Sequence, residues 1–483
     1  MTLDAAKFLA VLPEILLLVL GGLVLFLDFI LPKEQHRLLG WVTAFGMVLV
    51  MLFSIPGMPG ESTELSWGGM VRHDWLAYTF KMLFIFGAGI TALFAMDYRE
   101  IGERGAFYLL MIISTIGMCF MASAADLVML YLSIETTSIP LYILAGFIIK
   151  DNRSSEAGFK YLLFGAMTSA VMLYGFSLIY GFSGTTDLYQ IAENLSIGGV
   201  PAAVITGTML LVLVGFGFKI SAVPLHFWAP DIYDGAPTPV AGFLSTASKA
   251  AGFAVLVRVF LTVFPQIQLE WGVVLYAISL LTMTVGNLIA LAQRNIKRML
   301  AYSSIAHAGY MLIGVVAGTP FGIQSAIFYL IVYLVTNLAA FGIVTATERV
   351  VGSSDMSAYY GLSRRSPWLA LAMMVAFLSL AGMPPLGGFV AKVFVFAAAI
   401  EAGLIPLAVI GVLNSIVGLY YYLTVLKYVY LYRMEGEDED QHPLPVTSSY
   451  RLALVILTFG IILIGTIFGP WFGFADTAAA ALF

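Results

Sequence analysis

Apolar residues run through this chain in long blocks, and polar residues gather in the short gaps between them. The blocks fall at 8–30, 38–55, 75–96, 106–122, 125–149, 157–182, 203–228, 238–264, 271–293, 298–317, 322–348, 367–402, 404–432 and 451–474. Most hold the roughly 20 apolar residues that a helix needs to cross a hydrocarbon core about 30 Å thick. Weak alternation argues against a β-barrel. The pattern predicts an all-α polytopic membrane protein with about 14 transmembrane helices.

Two blocks are interrupted. Span seven runs into KISAVPLHFWAPDIYDGAPTPVAGFLSTASK, from Lys219 to Lys249, with Pro224, Pro230, Pro237 and Pro239 inside it. Span twelve contains LAGMPPLGGFVAKVF, a double proline (Pro384, Pro385) among glycines followed by Lys392. Proline removes a helix hydrogen bond and breaks or kinks the helix. Backbone freed at membrane depth must be received by protein or by a water-filled cavity.

The two breaks lie five spans apart, which predicts five-span repeats at spans 4–8 and 9–13. An odd number of spans reverses direction, so these repeats must be inverted. Paired interrupted segments point to a transport pathway at the repeat interface. The expected division is 1–105, a three-helix segment; 106–265 and 266–432, the two repeats; and 433–483, a loop and last helix.

Composition narrows the class. Of 483 residues, 60% are hydrophobic and only 11% charged, too little polar surface for a soluble protein of this size. The single cysteine, Cys119, excludes an internal disulfide and a cysteine-built metal centre. The first apolar block reads as a span rather than a cleaved signal peptide. The net charge of -5 resides in the loops, and the acidic segment 434–442 reads as a solvated loop.

Basic loop residues are asymmetric. One side carries Lys33, Arg37, Arg99, Arg104, Lys150, Arg153, Arg294, Lys297, Arg298, Arg349, Arg364, Arg365 and Arg433, the other only Lys7 and Arg72. The positive-inside rule makes the rich side cytoplasmic and puts both termini outside, in the periplasm of a Gram-negative cell.

Charge inside the spans carries the chemistry. Glu135 lies about ten residues into span five, roughly 15 Å deep, and Lys249 lies at similar depth in span eight. Lys219 and Lys392 sit within the broken spans. A mid-bilayer charge costs about 2.5–3.5 kcal/mol on insertion scales, so such groups mark ion pathways. An acid near a lysine holds its charge, and moving the acid away lets desolvation favour the neutral amine. His226, after the break, and His307 are candidate proton relays. Lys160, spaced i,i+4 from Glu156, either joins the route or makes a local pair. Lys81, Arg258 and Lys427 lie near span ends, where snorkelling to water is expected, and Glu14 is expected near the outer surface. No nucleotide loop or metal-ligand cluster stands out, and nothing here accepts a hydride.

Three stretches carry a family resemblance: GFGFKISAVPLHFWAPDIYDGAPTPVAGFLSTASKAAG, NLIALAQRNIKRMLAYSSIAHAGYMLIG and LSLAGMPPLGGFVAKVFVF. The chain resembles the antiporter-like proton-channel subunits of respiratory complex I over about residues 70–430. Within them it is most similar to the N-type, through the lysine in span twelve and the absence of a long lateral helix after span fourteen. By matching position, the resemblance implies that Glu135, Lys219, Lys249 and Lys392 are the proton-transferring residues of a hydrated axis. The AKVF after GGFV departs from the more usual GKF and puts the packing near Lys392 in question. The resemblance implies a non-redox subunit of a proton-translocating NADH-quinone oxidoreductase. It implies no cofactor on this chain, quinone and NADH handled by the assembled complex, and other membrane-arm subunits as partners. The rival readings are a subunit of a multi-subunit sodium/proton antiporter and a structural spacer of the membrane arm.

Overall fold

The computed structural model describes residues 5–60, 64–433 and 443–483. The acidic loop at 434–442 lies outside the described residues. Among the described residues, twelve helices are long and apolar enough to cross a membrane. Two shorter apolar helices, Arg37–Phe53 and Pro367–Ala381, stand where spans two and twelve were expected. A two-stranded hairpin, Glu64–Ser66 with Val71–His73, closes one end beside the first three helices.

Helix starts follow the polar caps written into the gaps. Asp74 opens the Trp75–Ala95 helix by accepting from the Ala77 amide, one of the donors a helix N-terminus leaves free. Asp126 does the same for Leu127–Ala145 and Asn295 for Ile296–Ala317. Each of the last two caps also forms an isolated antiparallel bridge, Asp126 with Asp187 and Asn295 with Asp355. The same cap and bridge thus recur at the starts of spans five and ten.

Both broken spans are interrupted. The Ala202–Ile220 helix stops at Ser221, whose φ of 59° places it in the left-handed region. The freed groups are received by protein: Ala222 N donates to Gly217 O, Trp228 Nε1 to Phe218 O, and Val223 N to Thr282 Oγ1. A separate short helix, Trp228–Gly235, follows, so span seven is not the continuous run to 228 that apolarity suggested. Polar and proline residues there end one helix and begin another.

Span twelve splits into Pro367–Ala381 and Gly387–Glu401 around Gly382, which has φ of 86°. Span eight holds an irregularity that periodicity did not show: Leu244–Ser248 forms a π-helical turn directly before Lys249. Such turns occur mostly as single bulges, often at functional sites.

Span-end snorkelling is overturned for two of its three residues. Arg258 is buried and donates to both Asp74 oxygens at 2.8 and 2.9 Å, to Tyr189 OH and to Ala122 O. Lys81 is buried against Glu14, which is itself buried. Each cation found an acid on a neighbouring helix, a pairing that spacing along one helix cannot reveal. Lys427 stays exposed, 5.3 Å from the Tyr432 ring.

Candidate proton-transfer site

Lys219 stands in the last turn before the span-seven break, 7% exposed. Its Nζ donates to Ser138 Oγ at 2.6 Å. Ser138 lies one turn beyond Glu135 on the Leu127–Ala145 helix. Glu135 is engaged elsewhere: its Oε1 accepts a short hydrogen bond from Ser169 Oγ. Glu135, Ser138, Ser169 and Lys219 line one crevice of about 10 Å³, room for roughly one water. The acid and the lysine therefore face the same space without closing an ion pair within 4.0 Å.

Span eight packs directly on this lysine. A Cβ built at Gly252 would lie 3.1 Å from Lys219 Cβ, so glycine permits the close approach. One turn earlier Lys249, 1% exposed, donates to Ser304 O at 2.7 Å and to Ser304 Oγ at 3.1 Å. Ser304 stands as far past its cap Asn295 as Glu135 stands past Asp126. By the same register His307 matches Ser138. Lys219 is thus held at the second of these two register positions and Lys249 at the first.

His307 is clamped between phenols. Tyr329 OH lies 2.9 Å from Nδ1 and Tyr422 OH lies 3.1 Å from Nε2. Tyr422 OH also makes a short hydrogen bond with Ser303 Oγ. A hydroxyl both donates and accepts, so either imidazole tautomer is accommodated.

Lys392 follows its break and takes up the carbonyls that the break sets free. Its Nζ donates to Leu380 O and Ala381 O at 3.0 Å each, and to Ser415 Oγ at 2.8 Å. An ammonium at a helix C-terminus is favoured by the helix dipole. The Tyr310 ring centroid lies 5.2 Å from Nζ, and Tyr310 OH accepts from Asn287 Nδ2. Lys219 precedes its break and Lys392 follows its own, so the two lysines are not repeat equivalents.

The remaining two candidates sit apart from this line. His226 is buried within the break, its ring beside Phe227 and its Nδ1 without a hydrogen-bond partner. No hydrogen bond joins it to the four charged residues among the described residues. Lys160 pairs with Glu156 at 2.7 Å and with Asp231 at 3.0 Å, and Arg298 donates to the other Asp231 oxygen at 2.8 Å. Burial alone would raise the Asp231 carboxyl, yet hydrogen bonds from Arg298 and Lys160 hold it below its ordinary value. The hydroxyls Ser138, Ser169, Tyr422 and Ser415 escaped the sequence reading. Serine and tyrosine are ordinary in spans, and only the cap register pointed to any of them.

Broken helices around buried lysines define an antiporter-like membrane subunit. The family described as NADH:quinone oxidoreductase/Mrp antiporter, TM, matches residues 124–418. NADH-quinone oxidoreductase subunit N of Trichlorobacter lovleyi is 42% identical, covering 97% of this chain and 96% of its own. A chain of respiratory complex I from Thermus thermophilus superposes with a TM-score of 0.79 at 33% identity, covering 95% of this chain and 98% of that one. A chain of the Mrp complex from Dietzia sp. DQ12-45-1b reaches 0.85 at 21% identity over 100% of this chain and 98% of its own, a likeness of fold alone. The chain belongs to the NADH-quinone oxidoreductase subunit N family.

Proposed function

We infer that this chain is the proton-translocating N-type subunit of a complex I-type NADH-quinone oxidoreductase. Its partners are the other membrane-arm subunits. Quinone and NADH chemistry takes place elsewhere in the assembly, and this chain moves protons. The observation that carries the reading is the set of three buried lysines, each held by a hydroxyl and none by an acid within ion-pair distance. A buried ammonium without a counter-charge exchanges its proton when a nearby charge changes.

In this reading Lys219 is the switched carrier and Glu135 its modulator across the shared crevice. When Glu135 leaves Ser169 for the lysine, Lys219 keeps its proton. When Glu135 returns, the proton moves toward Lys249, which the Gly252 contact brings alongside. From Lys249 it passes by Ser304 and the phenol-clamped His307 toward Lys392. His226 and Lys160 are flanking groups, His226 a side relay and Lys160 a charge at the mouth.

The protein resides in the inner membrane, with residues 443–449 cytoplasmic and both termini outside. Labelling of a Ser448→Cys variant by an impermeant reagent tests the orientation. Reaction is expected only from the cytoplasmic side. Replacing Lys249 with alanine tests function: the assembly should form and proton pumping should fail. Normal pumping would leave the chain a spacer.

A further inference from the structure

The Leu12–Ile30 and Trp75–Ala95 helices lie outside the residues that match the family. They hold an acid–base couple that the lysine line does not use. Lys81 Nζ lies 2.7 Å from Glu14 Oε1, and both side chains are 3% exposed. Lys81 also donates to Ala10 O at 3.0 Å. The ion contact is close but misaligned, and neither Glu14 oxygen accepts a well-formed hydrogen bond.

A buried ion pair offsets its desolvation only when further hydrogen bonds satisfy the remaining lone pairs. Here they do not: both Glu14 oxygens are buried without a hydrogen-bond partner. Asp74 on the same helix offers no relief, because Arg258 and Arg72 already engage it. The other neighbour within reach of the pair's charge is buried Cys119.

The Trp75–Ala95 helix also reaches the lysine line. A Cβ built at its Gly87 would lie 3.4 Å from Ala247 Cβ, within the π-helical turn before Lys249. One helix therefore touches both the Glu14–Lys81 couple and the irregular turn that positions Lys249.

We propose that Glu14 and Lys81 form a proton-exchange site in the N-terminal three-helix segment, serving the same translocation as the lysine line. This rests on the proton-translocating reading above. The step breaks an N–H bond of Lys81 and forms an O–H bond on Glu14, turning a charged pair into a neutral one. Glu14 then releases that proton to water at the hairpin end, and Lys81 takes another from the interior. No other bond changes and no electron moves.

The test uses the whole assembled complex in vesicles. Lys81→Arg keeps the charge and the pairing but holds its proton at any relevant pH. The double variant Glu14→Gln/Lys81→Met removes both charges together, so no uncompensated charge remains. Both should assemble with normal subunit content and lose proton pumping relative to quinone reduction. Wild-type pumping in either assembled variant would overturn the proposal. Failure of both to assemble would overturn it too, making the couple a fastening of the fold. Lys219→Ala is the parallel control: if it pumps normally, the translocation reading itself has failed, whatever the Lys81 variants do.

Discussion

Lys219 donates to Ser138 at 2.6 Å while Glu135, lining the same crevice, is bound to Ser169. On the proposed mechanism the acid is thus parked at one hydroxyl while the lysine it would modulate is held by another. Removing the parking place should bias the switch. Ser169→Ala leaves Glu135 free to approach Lys219, which then retains its proton. Hydrogen bonds to charged groups contribute about 1.5–3 kcal/mol, so pumping should slow roughly ten- to a hundredfold in a complex of normal composition. An unchanged rate of coupled proton uptake would deny Ser169 this role.

The span-twelve break depends on glycine. A Cβ at Gly388 would fall 1.9 Å from the Ser379 carbonyl oxygen, a backbone atom that cannot turn aside. Gly388→Ala should destabilise the subunit by about 3 kcal/mol, the upper end for overpacking. Blotting for subunit content and thermal unfolding of the purified complex measure it. Gly22→Ala, where nothing lies within 4 Å, serves as the silent comparison.

Arg258→Met should destabilise strongly. It leaves Asp74, a fully buried carboxylate, without the bidentate partner that compensates it. Breaking one side of a buried pair costs about 3–5 kcal/mol. Arg258→Met/Asp74→Asn should recover part of that loss. A double variant no better than the single one would show that the charge was not the cause.

Much of this was legible in the sequence. Long apolar blocks announced the helices, and prolines 224, 384 and 385 announced both breaks. The buried charges drew attention because hydrocarbon-grade sequence surrounds them. Pairing was not legible. Glu14 with Lys81, and Asp74 with Arg258, join different helices, and no spacing rule reaches across helices. The hydroxyl partners Ser138 and Ser415 stayed hidden because they look like ordinary span residues. The π-helical turn before Lys249 is a backbone feature that no residue type in Leu244–Ser248 signals, so periodicity passes over it. The order of lysine and proline already differs between the two breaks in the sequence, and the structure shows its consequence: Lys219 ends a helix and Lys392 takes the carbonyls of the helix before it.

The Lys160–Asp231–Arg298 cluster should respond to acid. The Asp231 carboxyl is held below its ordinary value, so its contribution is present above about pH 3.9 and fades as pH falls through the lower folded value. The side chains are 31–42% exposed, and solvent screening keeps the contribution under about 1 kcal/mol. Asp231→Asn should therefore lower stability by under about 1 kcal/mol at neutral pH and converge on the wild type as pH falls well below about 4. A loss of equal size at all pH values would contradict this.

Proton pumping against electron transfer, measured in vesicles holding the Lys219 variants, bears most directly on the central claim. Lys219→Ala removes the carrier, and Lys219→Arg keeps its charge but cannot release a proton. Both should assemble with full subunit content, and both should lose proton transfer through this chain. A complex with Lys219→Ala that assembles and pumps at the wild-type proton-to-electron ratio would contradict the account.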